Sequence, residues 1–448
     1  MPARKPNISR RGGGPEFTMN LQPVLRNPGC RLLPLGISVF VVGLCWSANV
    51  SCQEKPAAPS QTTPTYRLAD CLAIARQQAP AILAARASLA AAMTGHQSLQ
   101  QLRGGALLAK DLPIRKQQAA WGVNAAAANL AQVECDTDCA VARTYYSVTY
   151  ARDQRQIADQ IVIRLKLTVA NGETLLGKEG APPDLNPLAI EKAKLYLSMS
   201  ETRLHETIRG QQRAKAALRE AMGLDPEVDF QVAEDKLPEA TTGIEKSSIM
   251  DLALARRGEI SQSQSAVNIT CLEVHAQSKS TFVKRPTAAS GGDMHARPIP
   301  TGSFGDNYVP GAIGLDFPSM FVGSRTNRMQ RASELSSRAQ AAADKARNLV
   351  ALDAEDAWLR WEEATSNITK LKPAVKNGAA TAQKAQDALD SGVIQSYRDV
   401  LEMFVLVAQT QAKLNEAYYQ HMIALTELER VTAGGYPAGI TVMPVQKP

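Results

Sequence analysis

The chain has 448 residues, of which 44 % are apolar, 21 % charged and 5 % aromatic. That is enough for roughly two to four domains and a core, but lean in the aromatics of a compact enzyme interior. The formal charge of +7 sits mostly at the start, where residues 1–52 carry six Lys or Arg against one acid; the rest of the chain is close to neutral at +2. The basic footprint of a nucleic-acid-binding protein is therefore missing.

Taken from the N-terminus, residues Leu32 to Trp46 form an apolar run preceded by Arg26 and Arg31, and the small-residue stretch Ser47–Ser51 follows it. The run is shorter than the ~20 residues a helical membrane span needs and suits a secretory signal. Residues 1–18 read as an upstream extension before a second possible start at Met19, so 1–52 is expected to be extension plus signal peptide. Cys52 is a candidate lipidation site, although Asn49-Val50-Ser51 departs from a good lipobox. A Pro-containing linker spans 53–65.

Four cysteines lie beyond the leader, at 71, 135, 139 and 271. Cys135 and Cys139 are four apart on an expected helix with no His pair nearby, which predicts packed thiols or one local disulfide in preference to a zinc site. The five histidines are widely scattered, and the chain lacks a Gly-Lys-Ser/Thr phosphate loop, a Gly-x-Ser-x-Gly elbow and a His-Glu-x-x-His helix. Nothing points to catalysis, a cofactor or a metal.

The chain is written twice. Leu72-Ala73-Ile74-Ala75-Arg76 aligns with Leu252-Ala253-Leu254-Ala255-Arg256 at an offset of 180. Asp111-Leu112-Pro113 then aligns with Asp316-Phe317-Pro318 at 205, and Gly177 with Asp184 aligns with Gly392 and Asp399 at 215. Leu218 through Gly223 matches Leu428 through Gly434 at about 210. Four matches in one order define repeats at 66–223 and 249–435, with a linker at 224–248 and a tail at 436–448.

Within each copy the pattern is helical. Gln117 to Leu176 contains no proline, and some 60 residues at 1.5 Å each would make a rod of about 90 Å. After the turn Gly180–Asp184 a helix resumes from about Leu185 to Met222, with Pro187 in its first turn and Asp184 as its expected N-cap. In the second copy Arg325 to Leu389 is a rod interrupted mildly at Pro373, and Asp399 to Val431 returns with a narrow stripe of Leu401, Val405, Ala408 and Ala412. Such hairpins pack on one another or on further copies of themselves. A soluble coiled-coil bundle satisfies the same periodicity.

The growing offset places extra chain in the second copy at about 284–310. It is followed by Ala312–Phe317, where Ile313, Leu315 and Phe317 alternate as in a short strand. The equivalent place in the first copy holds only Arg103–Leu108.

In this order the landmarks resemble the TolC-like outer-membrane efflux proteins. The residues concerned are Tyr66–Ala75, Pro318–Gly323 as the strand re-entering the helices, the tyrosine-rich Ala142–Val148, and the tip Gly392-Val393-Ile394 through Asp399-Val400-Leu401. The resemblance covers about residues 66–435. It implies a mainly α fold with a small β portion, in which two repeats of long antiparallel hairpins build a trimeric helical tunnel with a β-barrel, reduced if need be. It also implies an outer-membrane export channel, with most of the chain in the periplasm, meeting a periplasmic adaptor and through it an inner-membrane pump. The adaptor would contact Gly177, Asp184, Gly392, Val393 and Asp399, while Asp390 and Arg398 would link tips; on their own these residues read as a Gly that ends a helix and an Asp that caps the next.

The barrel is where this sequence departs from the pattern. A spanning strand needs about 9–11 residues with an apolar outer face. Val309–Phe321 comes near that, whereas Phe282–Met294 carries Lys284, Arg285 and two glycines, and the first copy has no hairpin. The alternative is a periplasmic helical scaffold, lipid-anchored through Cys52, that binds an adaptor without forming a pore.

Overall fold

The computed structural model describes residues 63–102, 109–178, 181–234, 236–238, 243–280, 284–286, 318, 320–390 and 396–436. The signal segment, Cys52, the 312–317 strand, Gly392 and Val393 lie outside the described residues. The fold is mainly α, with a small β portion and two structural repeats.

Repeat 1 begins with the two-residue strand β1 (Thr65–Tyr66) and the helices α1 (Leu68–Gln78) and α2 (Pro80–Gln101). Asp70 accepts the backbone N–H of Arg67 at 2.9 Å, satisfying an orphan donor at the start of α1. Pro80 disfavours the helical region for Ala79, so α1 stops there and α2 starts at once. The rod α3 (Leu112–Leu175) and the returning helix α4 (Pro187–Met222) complete the copy. The α3 rod starts five residues before the expected Gln117, because Pro113 fits a first turn whose N–H groups are unbonded in any case. At 64 residues it is about 96 Å long.

Repeat 2 has the same order: α5 (Lys246–Arg256), α6 (Gly258–Lys279), α7 (Arg325–Asp390) and α8 (Tyr397–Val431). The strand β2 (Gln231–Val232) lies between the copies and pairs in parallel with β1. The strands β3 (Lys284–Pro286) and β4 (Met320–Val322) pair antiparallel between α6 and α7, Arg285 facing Phe321. Pro373 is exposed on α7, which stays helical through it.

The structure corrects the first repeat offset. α1 and α5, and α2 and α6, start 178 residues apart, which sets buried Cys71 and Ala75 against buried Ile249 and Ala253. The sequence match at 180 aligned exposed Ala73 with buried Ala253 instead. Burial, not residue identity, fixes the equivalence.

Each rod changes partners along its length. α3 packs against α4 on one stretch and against α2 and α6 on another, while α7 does the same with α8 and with α5 and α6. The main core sits where these arrangements meet. There Leu72, Ile82, Tyr145, Leu218, Met222, Phe230, Ile249, Leu425 and Leu428 are buried together. The tyrosine-rich segment is part of it: Tyr145 is fully buried and donates its hydroxyl to the Tyr66 carbonyl at 3.2 Å.

Buried charges brace the rods, two sets of them close to the main core. Arg76 of α1 forms a bidentate pair with Asp138 of α3. Asp353 of α7 accepts from both Arg257, at the α5–α6 break, and Arg430 near the end of α8. Glu259 holds the other edge of Arg257, and Glu427 the Nε of Arg430. Removing one partner of such a pair would leave an uncompensated buried charge. Cys71, Cys135 and Cys139 are free buried thiols, as packed residues on these helices, and burial pushes the Cys135 thiol up to about 11.

Candidate functional site at the hairpin tips

The α3–α4 turn is built from local signals. Leu176 donates to the Gly172 carbonyl at 3.0 Å, and Gly177 adopts φ +79°, the left-handed conformation in which glycine ends helices. A Cβ at Gly177 would meet nothing within 4 Å, so its requirement is conformational. The chain then closes through Ala181 N–H to the Lys178 carbonyl and Leu185 N–H to the Pro182 carbonyl. α4 starts at Asn186, whose side chain accepts the N–H of Ala189 at 2.9 Å, followed by Pro187 in the first turn.

Asp184 is therefore not the cap of its own hairpin's return helix. Its carboxylate crosses to the other repeat, where Oδ1 accepts the N–H of Tyr397 and Oδ2 the N–H of Arg398, both at 2.9 Å. Ser396 adds its hydroxyl to Oδ2 at 3.2 Å. These amides are the first two orphan donors of α8, and the negative charge sits at the positive end of the helix dipole. Burial by itself would raise the pKa of Asp184. The Arg398 and Tyr397 amides and the Ser396 hydroxyl outweigh it and hold the carboxyl below the usual carboxylate range.

Asp399 is likewise not a cap. Ser396 is the N-cap of α8 and accepts the N–H of Asp399 at 3.2 Å, which leaves Asp399 as the acidic third residue of the first turn. The Nε of Arg398 pairs with Glu402 at 3.0 Å, and Lys192 of α4 reaches the same carboxylate at 2.7 Å. Asp390 ends α7, and its side chain lies outside the described residues. Of the residues expected at the tips, the structure brings Asp184 and Arg398 together, through the Arg398 backbone.

Tyr397 is the residue that sequence reasoning missed. Its ring packs with Leu185 and Ile190, and its hydroxyl donates to the Thr168 carbonyl of α3 at 2.8 Å. It fits because Gly172 has no side chain: a Cβ there would lie 2.9 Å from the tyrosine hydroxyl. Burial, with Glu173 nearby, pushes its pKa up to about 12, so it stays a neutral donor. The signal that could have found this site is Ser396-x-x-Asp399, a serine followed three residues later by an acid. Farther along the rods Arg164 of α3 stacks over the ring of Phe404 of α8 at 4.0 Å.

Large apolar side chains are left in the open on this half of the rods. Leu188 (77 % exposed), Leu195 and Met199 lie seven and four residues apart on one face of α4, and Ile163 and Leu167 of α3 and Leu406 of α8 are exposed at similar distance from the tips. An isolated chain gains nothing from such a stripe, and burying each side chain is worth about 1.5–3 kcal/mol. Among the described residues no group of three or more His, Cys, Asp or Glu could hold a metal ion, and no helix is long and apolar enough to cross a membrane.

Solved structures with the same architecture are outer-membrane channels. The chain is similar to the outer-membrane channel OprN at a TM-score of 0.64 and 15 % identity, over 82 % of this chain and 90 % of that one. It is similar to the open state of the MtrE outer-membrane channel of Neisseria gonorrhoeae at 0.62 and 15 %, over 82 % and 89 %. The outer-membrane protein VceC of Vibrio cholerae matches at 0.61 and 14 %, over 82 % and 96 %. No family model matches the sequence, and no curated protein matches it.

Proposed function

We propose that this chain, which has the fold of the TolC-like outer-membrane channel proteins, is a subunit of an export conduit at the outer membrane. Three copies stand side by side and form a helical tunnel. A periplasmic adaptor meets the tips and joins the tunnel to an inner-membrane pump, and cargo passes without bond chemistry. The observation that carries this reading is the shared architecture over 82 % of the chain. The exposed stripe of Leu188, Leu195 and Met199 supports it, because neighbouring copies would cover it. Domain limits of 66–223 and 249–435 for the two repeats, with a signal segment before them, belong to the same proposal.

At the tips, Gly177 and the turn after it form the surface offered to the adaptor, and the Asp184 clamp on α8 holds the two hairpins of one subunit together. Opening the tunnel requires hairpins to move apart, so a clamp of this kind favours the resting state. Asp399, Gly392 and Val393 would complete the contact.

Electron microscopy of the full-length protein from the membrane fraction tests this. A threefold hollow tube of roughly 100 Å is expected, the length of the rods. The double variant Leu188→Glu, Leu195→Glu should lose the tube and leave monomers. A photo-crosslinker in place of Lys178, in the producing cell, should capture an adaptor. Solid single rods in the wild type would sink the conduit.

A further inference from the structure

The two repeats end at the side opposite the tips in very different amounts of chain. Between α6 and α7 there are 45 residues, but between α2 and α3 only ten, Leu102 to Asp111. Part of that arch is used to start α3, where Leu112 donates to the Ala109 carbonyl. The ends it joins are also tied directly, since Lys116, the fifth residue of α3, reaches the Gln100 carbonyl at 3.2 Å. Ten residues cannot hold an ascending and a descending strand of about 9–11 residues each.

Repeat 2 has the length but not the composition. β3 and β4 form a ribbon root fixed to the helices: Arg328, 1 % exposed, donates to the Gly323 and Ser280 carbonyls and to Gln277. The ten residues after β3 read Thr-Ala-Ala-Ser-Gly-Gly-Asp-Met-His-Ala, with Met294 as the sole large apolar side chain. A strand facing lipid needs apolar residues at every second position. One segment per chain, Val309–Phe321, has such a pattern. Even with both counted, three chains supply six strands against the eight of the smallest bacterial barrels, and an unclosed sheet in lipid leaves backbone groups without partners.

We infer that the assembled conduit does not cross the lipid itself: its blunt end rests on the periplasmic surface of the outer membrane. This inference rests on the conduit reading. The test uses the full-length protein and its Cys52→Ser variant, which removes the candidate lipid anchor. Membranes are washed with alkaline carbonate, which strips peripheral proteins and leaves barrels in the pellet. Released material is added to planar bilayers of phosphatidylethanolamine and phosphatidylglycerol. Most of the Cys52→Ser protein should appear in the supernatant as threefold tubes, with no conductance steps. Retention of that variant in the pellet, or stepwise conductance from either form, overturns the proposal and leaves the conduit intact. Released protein that forms no threefold tube overturns the conduit reading, and this inference with it.

Discussion

Repeat 1 lays out helices of 11, 22, 64 and 36 residues, and repeat 2 helices of 11, 22, 66 and 35. The residues that do this differ. Pro80 breaks the first pair of helices and Gly258 stands at the same place in the second; Cys71 fills a core position that Ile249 fills later. Rods in lateral contact must begin and end together, since an overhanging end buries nothing and leaves its amides or carbonyls to water. Helix length is therefore fixed by the neighbours, while the side chains that enforce it can change. At the blunt end the connecting chain differs between the copies, ten residues in one and 45 in the other.

The sharpest way to break the equivalence is through the buried charges, which each copy arranges differently. Asp353 holds two guanidinium groups that are almost fully buried, so Asp353→Ala should cost about 3–5 kcal/mol in urea unfolding of the full chain. Asp138→Ala should cost less, about 1.5–3 kcal/mol, because Arg76 is partly exposed and can turn to water. Equal losses would mean that the second arginine contributes nothing. Burial alone would raise the pKa of Asp353; Arg430 and Arg257 outweigh it and hold it low. A carboxyl lowered in the folded state gives stability that is complete above its unfolded value of about 4 and is lost as pH falls through the folded one. Asp353→Asn should therefore flatten the acid limb of the stability curve, below about pH 4.

A smaller effect separates the two helix breaks. A Cβ on Gly258 would lie 2.6 Å from the Ala128 carbonyl and 3.0 Å from the Gln132 Cβ, so Gly258→Ala should cost about 1–3 kcal/mol as the helices are pushed apart. Pro80→Ala in the first copy removes only a restraint on the unfolded chain, about 0.4–1 kcal/mol. Thermal unfolding of the two variants reads the difference.

The most local change is at the tips. Asp184→Ala should cost about 0.5–2 kcal/mol, the usual worth of a helix cap, and Asp184→Asn less. The loss should be local. Hydrogen exchange should quicken at the Tyr397 and Arg398 amides while the core amides of α8 near Leu425 keep their protection. Uniform acceleration along α8 would show that the carboxylate is not a local clamp.

Much of the fold was legible in the residues. The rods were visible because no proline interrupts Gln117–Leu176, and the return helices because Pro187 and Gly223 mark a start and an end. The two-residue strands β1 and β2 were not, since two residues have no period. Nor was the role of Asp184: a cap is normally sought within a few residues, whereas its partners lie 213 and 214 positions away. Buried Arg257 was hidden for a related reason. An arginine beside a helix break reads as solvated until two carboxylates from separate helices, Glu259 of α6 and Asp353 of α7, are seen around it.

The Asp184 clamp binds main-chain amides, and that has a consequence for how such a subunit can change. Every residue except proline presents the same N–H at position 398, so the grip is indifferent to the side chain there. The Arg398 side chain is exposed, and among the described residues its ion pair is an exposed one with Glu402. The latch and the outward surface can therefore vary independently: a lineage could rewrite the face that a new partner reads without loosening the closure behind it.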